Sequence, residues 1–325
     1  MLTPAEVAAF KRDGFVVKPN LVSREVCERC LDVAWGLAPP PVTSVTSRHD
    51  QESWIDPGIR GAWPQLARDE ATGRRAMPQG CWYERHNTIK FVQDDSGRGA
   101  GTDPTVLALF NSGPVQDVVA QLIGTPVKHA ESCKGIYFIF PTRQDEGHHL
   151  ELALHRDIQP FQVSAVVYLA DTPPGAGGIT VIPASHVSGY HAFEHEYHFE
   201  PRDAKESYNG SKADLQRTPV ETTGSVGSVV FYHHRLLHSF GINRSGFSEQ
   251  PVIRQAALCD FMRSDRPMRD DFVLEGTSYR RAIAREAAGR EGGVSTLQKM
   301  WMMHTREFLQ EEMQPQPDMW HDWAI

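Results

Sequence analysis

The chain has 325 residues, 40% hydrophobic and 23% charged, which is enough apolar material for one large domain or two small ones. Its net charge of −8, from 33 basic and 41 acidic residues with no long basic run, argues against a nucleic-acid partner. No apolar stretch approaches the ~18 residues of a membrane span and the N-terminus lacks a basic-then-apolar leader, so a soluble, cytoplasmic monomer or homodimer with no membrane partner is expected.

In chain order, Thr3-Pro4-Ala5-Glu6 combines an N-cap, a proline at the first helical position and a capping-box glutamate. A helix is predicted from there to about Arg12, ended by Gly14, with a strand at 15–18. Ser23 caps a second predicted helix to Trp35, and Pro39-Pro40-Pro41 ends it. Residues 41–80 are polar and irregular, the composition of a lid or wall. A strand is predicted over 82–93, a flexible loop over 94–103, and one helix over 106–123. Strand-like runs follow at 136–140, 152–157, 164–169, 179–182, 228–232 and 252–261, divided by Gly/Pro turns. Such a series points to a sandwich or barrel. Residues 191–217 form a polar insertion between core strands, and helices are predicted at 279–290 and 295–313. With no repeat and no linker, a single domain over 1–325 is expected: N-terminal helices at 3–35, a β core at about 82–262, and C-terminal helices at about 279–313.

The five cysteines, Cys27, Cys30, Cys81, Cys133 and Cys259, are odd in number and scattered, which suits free thiols in a reducing compartment. Cys27-x-x-Cys30 lacks a second ligand pair and lies in a helical pattern, so it reads as two thiols one turn apart.

Chemistry concentrates at His155-Arg156-Asp157. In extended chain, residues i and i+2 share a face, so His155 and Asp157 point together and Arg156 points away. An imidazole and a carboxylate on one face supply two of the three ligands of a 2-His-1-carboxylate iron site. His238, after the β-rich 228–232, is the candidate third ligand, with His234 as fallback and His233 as a further neighbour. Arg254 then opens a later strand, and Arg244 competes with it from a Gly/Asn/Ser turn.

These residues resemble the phytanoyl-CoA dioxygenase family of Fe(II)/2-oxoglutarate oxygenases. The resemblance runs from Leu2-Thr3-Pro4-Ala5-Glu6 and Asp13-Gly14-Phe15 through the HxD triplet. It continues at Gly177-Gly178-Ile179-Thr180-Val181-Ile182-Pro183-Ala184-Ser185-His186 and ends at Gly227-Ser228-Val229, His238 and Arg254. It implies a mainly β fold with flanking helices, built on a double-stranded β-helix (jelly-roll) core. It also implies Fe(II) held by His155, Asp157 and His238, with 2-oxoglutarate and O2 as co-substrates. Arg254 would grip the distal carboxylate of 2-oxoglutarate through paired hydrogen bonds. Lys90, Tyr168 and Thr180 are secondary candidates for co-substrate contact, and His186 is a loop-ordering residue. The implied reaction is oxidation of an unactivated C–H bond, most simply hydroxylation, of a small-molecule substrate, with release of succinate and CO2. Halogenating relatives replace the acid with a small residue, and Asp157 fills that place. Two rivals are a non-catalytic jelly-roll metal-binding module and a cupin-like metalloenzyme without 2-oxoglutarate. Neither needs a buried cation facing the metal, so Arg254 separates them from the oxygenase.

Overall fold

The computed structural model describes residues 1–58, 75–77, 80–84, 87–93, 96–143, 154–157, 161–188, 212–265, 319–320 and 323–325. Helix α1 (Pro4–Asp13) begins at the expected capping box: Thr3 Oγ1 accepts from the Glu6 amide, and Glu6 accepts from the Thr3 amide. Gly14 ends it at φ 82°, and a Cβ there would lie 2.4 Å from His186 Nδ1, so only glycine fits. His186 Nε2 meets the Lys11 carbonyl at 3.1 Å, fastening the 183–186 turn to α1. Strand β1 (Phe15–Lys18) and helix α2 (Arg24–Gly36, capped by Ser23) follow as predicted. Cys27 and Cys30 are buried on α2, and burial pushes their thiols up to about 11 and about 12.

The fold is mainly antiparallel β with a few helices, the jelly-roll expected above. Its strands are β2 (Arg75–Met77), β3 (Cys81–Glu84), β4 (Thr88–Phe91), β5 (Gly135–Ile139), β6 (Val163–Tyr168), β7 (Thr180–Val181), β8 (Val220–Glu221), β9 (Val229–His233), β10 (His238–Ser239) and β11 (Arg254–Phe261). The large sheet has the order β1-β9-β6-β11-β5-β4-β3-β2, and the small one β10-β7-β8.

The two faces of the large sheet differ, and that difference positions the site. Ala257, Cys259 and Phe261 of β11, with Ala165 and Val167 of β6, join the main apolar core under the helices. The alternate residues Ala256, Leu258, Val166 and Tyr168 join a second cluster with Ile179 and Val181, toward the small sheet. By the same two-residue period, Arg254 and Asp260 lie on that inner face of β11, and Lys90 lies there between the core residues Ile89 and Phe91.

Three expected elements differ. The 106–123 helix is two, α4 (Pro104–Asn111) and α5 (Gly113–Ile123), bent by 44°. (A four-residue α3, Pro40–Thr43, precedes them.) Ser112 is extended, Gly113 has φ 67° and Pro114 starts the next turn, while the apolar spacing runs on across the break. The 82–93 strand is the antiparallel pair β3–β4, with Asn87 at φ 52° before β4. The 152–157 run, described from residue 154, forms no ladder beyond one bridge, His155 to His238. The predicted helices at 279–313, and most of the 191–217 insertion, lie outside the described residues. Among those described, no single helix is long and apolar enough to cross a membrane.

Candidate metal centre

His155 and His238 exchange both backbone hydrogen bonds at 2.9 Å. Residues so paired carry their side chains on one face, and the two imidazole centroids are 4.6 Å apart. Asp157 returns to that face: Oδ1 is 3.8 Å from His155 Nε2, and Oδ2 is 3.6 Å from His238 Nε2. These separations are too long for hydrogen bonds but suit donors converging on a common ion. One ligand atom from each residue lies within 4.8 Å of the others. Arg156 points away, as its position requires, into a buried ion pair with Asp214 at 2.7 Å.

The three candidate ligands are held in place. His238 Nδ1 lies 2.9 Å from the Leu236 carbonyl, which can only accept, so Nδ1 carries the proton and Nε2 keeps a lone pair. Burial lowers the His238 pKa against the pull of Asp157, which favours the neutral imidazole. Burial alone would raise Asp157, but Lys134 and then His238, His234 and His155 hold its carboxyl well below the usual carboxylate range. His234, the fallback ligand, is elsewhere: its Nδ1 lies 3.1 Å from Ser164 Oγ.

Lys134, just before β5, was not anticipated. Its Nζ is 2.6 Å from Asp157 Oδ2 and 3.0 Å from Asp260 Oδ2. Burial opposes the charge, yet the two carboxylates raise the lysine pKa well above its ordinary value, so the ammonium persists. No motif in the sequence marks it, because its partners come from the HxD segment and the far end of β11.

Arg254 is fully buried at the start of β11, and its Nε, Nη1 and Nη2 find no hydrogen-bond partner among the described residues. Burial lowers its pKa, but a guanidinium in a protein stays charged. Its Cζ lies 5.9 Å from the Tyr168 ring centre and 5.8 Å from that of Phe240, two residues beyond His238. Arg244, by contrast, is exposed. Lys90 Nζ sits 4.6 Å from the Tyr137 and Phe240 rings, so both cations flank one phenyl ring. Tyr168 reaches this region with its ring only: its hydroxyl lies 2.7 Å from Thr222 Oγ1 and accepts from the Ile179 amide. Thr180 alternates with Ile179 and Val181, both in the inner cluster, and therefore faces away from it; the structure does not bring it to the triad.

This donor set fits the metal and co-substrate that the fold implies. Two imidazoles and one carboxylate suit a divalent iron, and a buried guanidinium with no partner among the described residues suits a carboxylate. A mainly antiparallel jelly-roll that brings two imidazoles and a carboxylate together is the architecture of a non-haem metalloprotein. The family model for phytanoyl-CoA dioxygenase (PhyH) matches residues 10–250, and the chain belongs to that family, whose members use Fe(II), 2-oxoglutarate and O2. Among solved structures, the non-heme alpha ketoglutarate dependent carbocyclase SnoK from nogalamycin biosynthesis is similar at 17% identity and TM-score 0.52, over 84% of this chain and 91% of that one. The epimerase SnoN, solved with Fe3+, alpha ketoglutarate and nogalamycin RO, is also 17% identical, with TM-score 0.48 over 80% of this chain and 83% of its own. No curated protein sequence matches the chain.

Proposed function

We propose that the chain oxidises, most simply hydroxylates, an unactivated C–H bond of a small organic molecule, with conversion of 2-oxoglutarate to succinate and CO2. His155, Asp157 and His238 would hold the iron, and Arg254 would bind the distal carboxylate of 2-oxoglutarate. Bound ferrous iron supplies the activation of O2 that is coupled to breakdown of the keto acid. The residues supply placement: the His155–His238 backbone pair fixes the two imidazoles, and Leu236 fixes the His238 tautomer. Asp157 keeps one position for the protein and so favours oxygen insertion or a related oxidation over halogenation. Tyr168 and Phe240 wall the guanidinium from water, which strengthens its grip on an anion.

The single observation that carries this reading is Arg254, a buried cation on the inner face of the large sheet whose three nitrogens find no hydrogen-bond partner among the described residues. A structural metal site has no use for it. Anaerobic addition of Fe(II) and then 2-oxoglutarate should produce a visible metal-to-ligand charge-transfer band. A folded protein that binds Fe(II) but shows no band with 2-oxoglutarate would overturn the reading. Coupled succinate release across a panel of small molecules then identifies the substrate.

A further inference from the structure

Asp157 belongs to a second donor cluster. With His234 and Asp260 it brings another set of three ligand atoms within 4.8 Å of one another. His234 Nδ1 lies 3.9 Å from Asp260 Oδ1. Ser164 Oγ donates to Asp260 Oδ1 at 2.7 Å, so its lone pair is what His234 Nδ1, 3.1 Å away, can bond. That puts the imidazole proton on Nδ1 and leaves Nε2 with a lone pair, buried and without a partner among the described residues. Two carboxylates and an imidazole, with one acid shared by a neighbouring metal site, are the donor set of a two-metal centre.

One side chain stands against that outcome. The Lys134 ammonium touches a carboxylate oxygen of both Asp157 and Asp260. We propose that Lys134 is a built-in counter-cation: it fills the second cation position, keeps the centre mononuclear and leaves Asp157 only Oδ1 for the iron. The inference rests on the triad as the first metal site. Its logic is electrostatic. Two neighbouring carboxylates need a positive charge between them, and a lysine supplies one as a compact point charge that cannot exchange or change oxidation state. Asp157 Oδ2, 3.6 Å from His238 Nε2, accepts from Lys134 at 2.6 Å, while Oδ1 is the oxygen nearest His155 Nε2. Lys134 is therefore a positioning residue and not a catalytic one.

The test uses the full chain, freed of metal, and Mn(II) alone. Wild type should bind one Mn(II) per chain, with the electron paramagnetic resonance spectrum of an isolated ion. Lys134→Gln should bind two, with a spin-coupled spectrum because Asp157 would be shared. Lys134→Arg, which keeps the cation, should stay at one, and so should Lys134→Gln combined with Asp260→Asn, which removes a ligand. The melting temperature against Mn(II) concentration gives a second readout, and Lys134→Gln should show a second stabilising phase absent from wild type. A folded Lys134→Gln that takes a single Mn(II), or a wild type that takes two, overturns the proposal. A wild type that takes none, or one that persists in His155→Ala with Asp157→Asn, instead overturns the triad on which it rests.

Discussion

Arg254 and Asp260 stand at opposite ends of one strand, on one face, and their charges are treated in opposite ways. At the Asp260 end the charges meet partners inside the protein: Lys134 bridges two carboxylates, one cation to two anions, and Ser164 donates to the remaining oxygen of Asp260. At the Arg254 end a full guanidinium is buried with aromatic rings and no anion among the described residues. Leaving a buried charge unpaired costs several kcal/mol, roughly half of what holds a typical domain together. A fold keeps such a residue where a ligand completes it. The internally partnered end belongs to the protein's own architecture, and the other end fits an outside anion.

The comparison is broken most severely at the triad. Asp157→Asn keeps the shape but removes the charge shared by the metal and Lys134, and it should abolish succinate release and the Fe(II)/2-oxoglutarate band. Full turnover in that variant would remove Asp157 from the ligand set. At the partnered end, Lys134→Met leaves Asp157 and Asp260 facing each other without a cation. Breaking a buried pair on one side costs about 3–5 kcal/mol, and Lys134 keeps about a quarter of its side chain in solvent, so about 3 kcal/mol is expected by chemical denaturation without metal. At the open end the sign reverses. Arg254→Met should weaken 2-oxoglutarate by roughly tenfold to more than a hundredfold, the value of one or two charge-assisted bonds, while the apo protein melts no lower than wild type. A large loss of apo stability in Arg254→Met would show that the guanidinium is paired within the fold, and the contrast would collapse.

How much of this could be read from the sequence depends on the range of each interaction. The HxD triplet was legible because both ligands come from three consecutive residues, and period two alone puts them together. His238 and Arg254 as candidates were legible through the family resemblance, and the jelly-roll came with them. Lys134 was not: its role exists only where the start of β5, the end of β11 and the HxD segment meet, and nothing local distinguishes it from a surface lysine. The helix break was written in Ser112-Gly113-Pro114, but the apolar spacing of Val106, Phe110, Val115 and Leu122 ran through it and hid the signal. Thr180 shows the limit of motif reading. It lies within the family-like segment, yet a two-residue strand gives it the opposite face from Ile179 and Val181.

Tyr168 sharpens the comparison with the smallest effect. It stands beside Arg254 and was a candidate for co-substrate contact, but its hydroxyl is occupied by Thr222 and the Ile179 amide. Burial raises its pKa despite the opposing influence of Arg254, so the hydroxyl stays protonated and able to donate. Its polar end therefore belongs to the partnered architecture, and its ring belongs to the open end. Tyr168→Phe keeps the ring against the guanidinium and deletes only the hydroxyl, leaving the buried Ile179 amide without its acceptor. Stability should fall by about 1–2 kcal/mol, the cost of one unsatisfied buried group. The apparent affinity for 2-oxoglutarate, followed through the charge-transfer band, should stay within about twofold of wild type, since an energy change under about 0.4 kcal/mol corresponds to that factor. A tenfold loss of affinity at unchanged stability would instead mean that the hydroxyl turns toward the co-substrate, and that the boundary between the two regions runs on the other side of Tyr168.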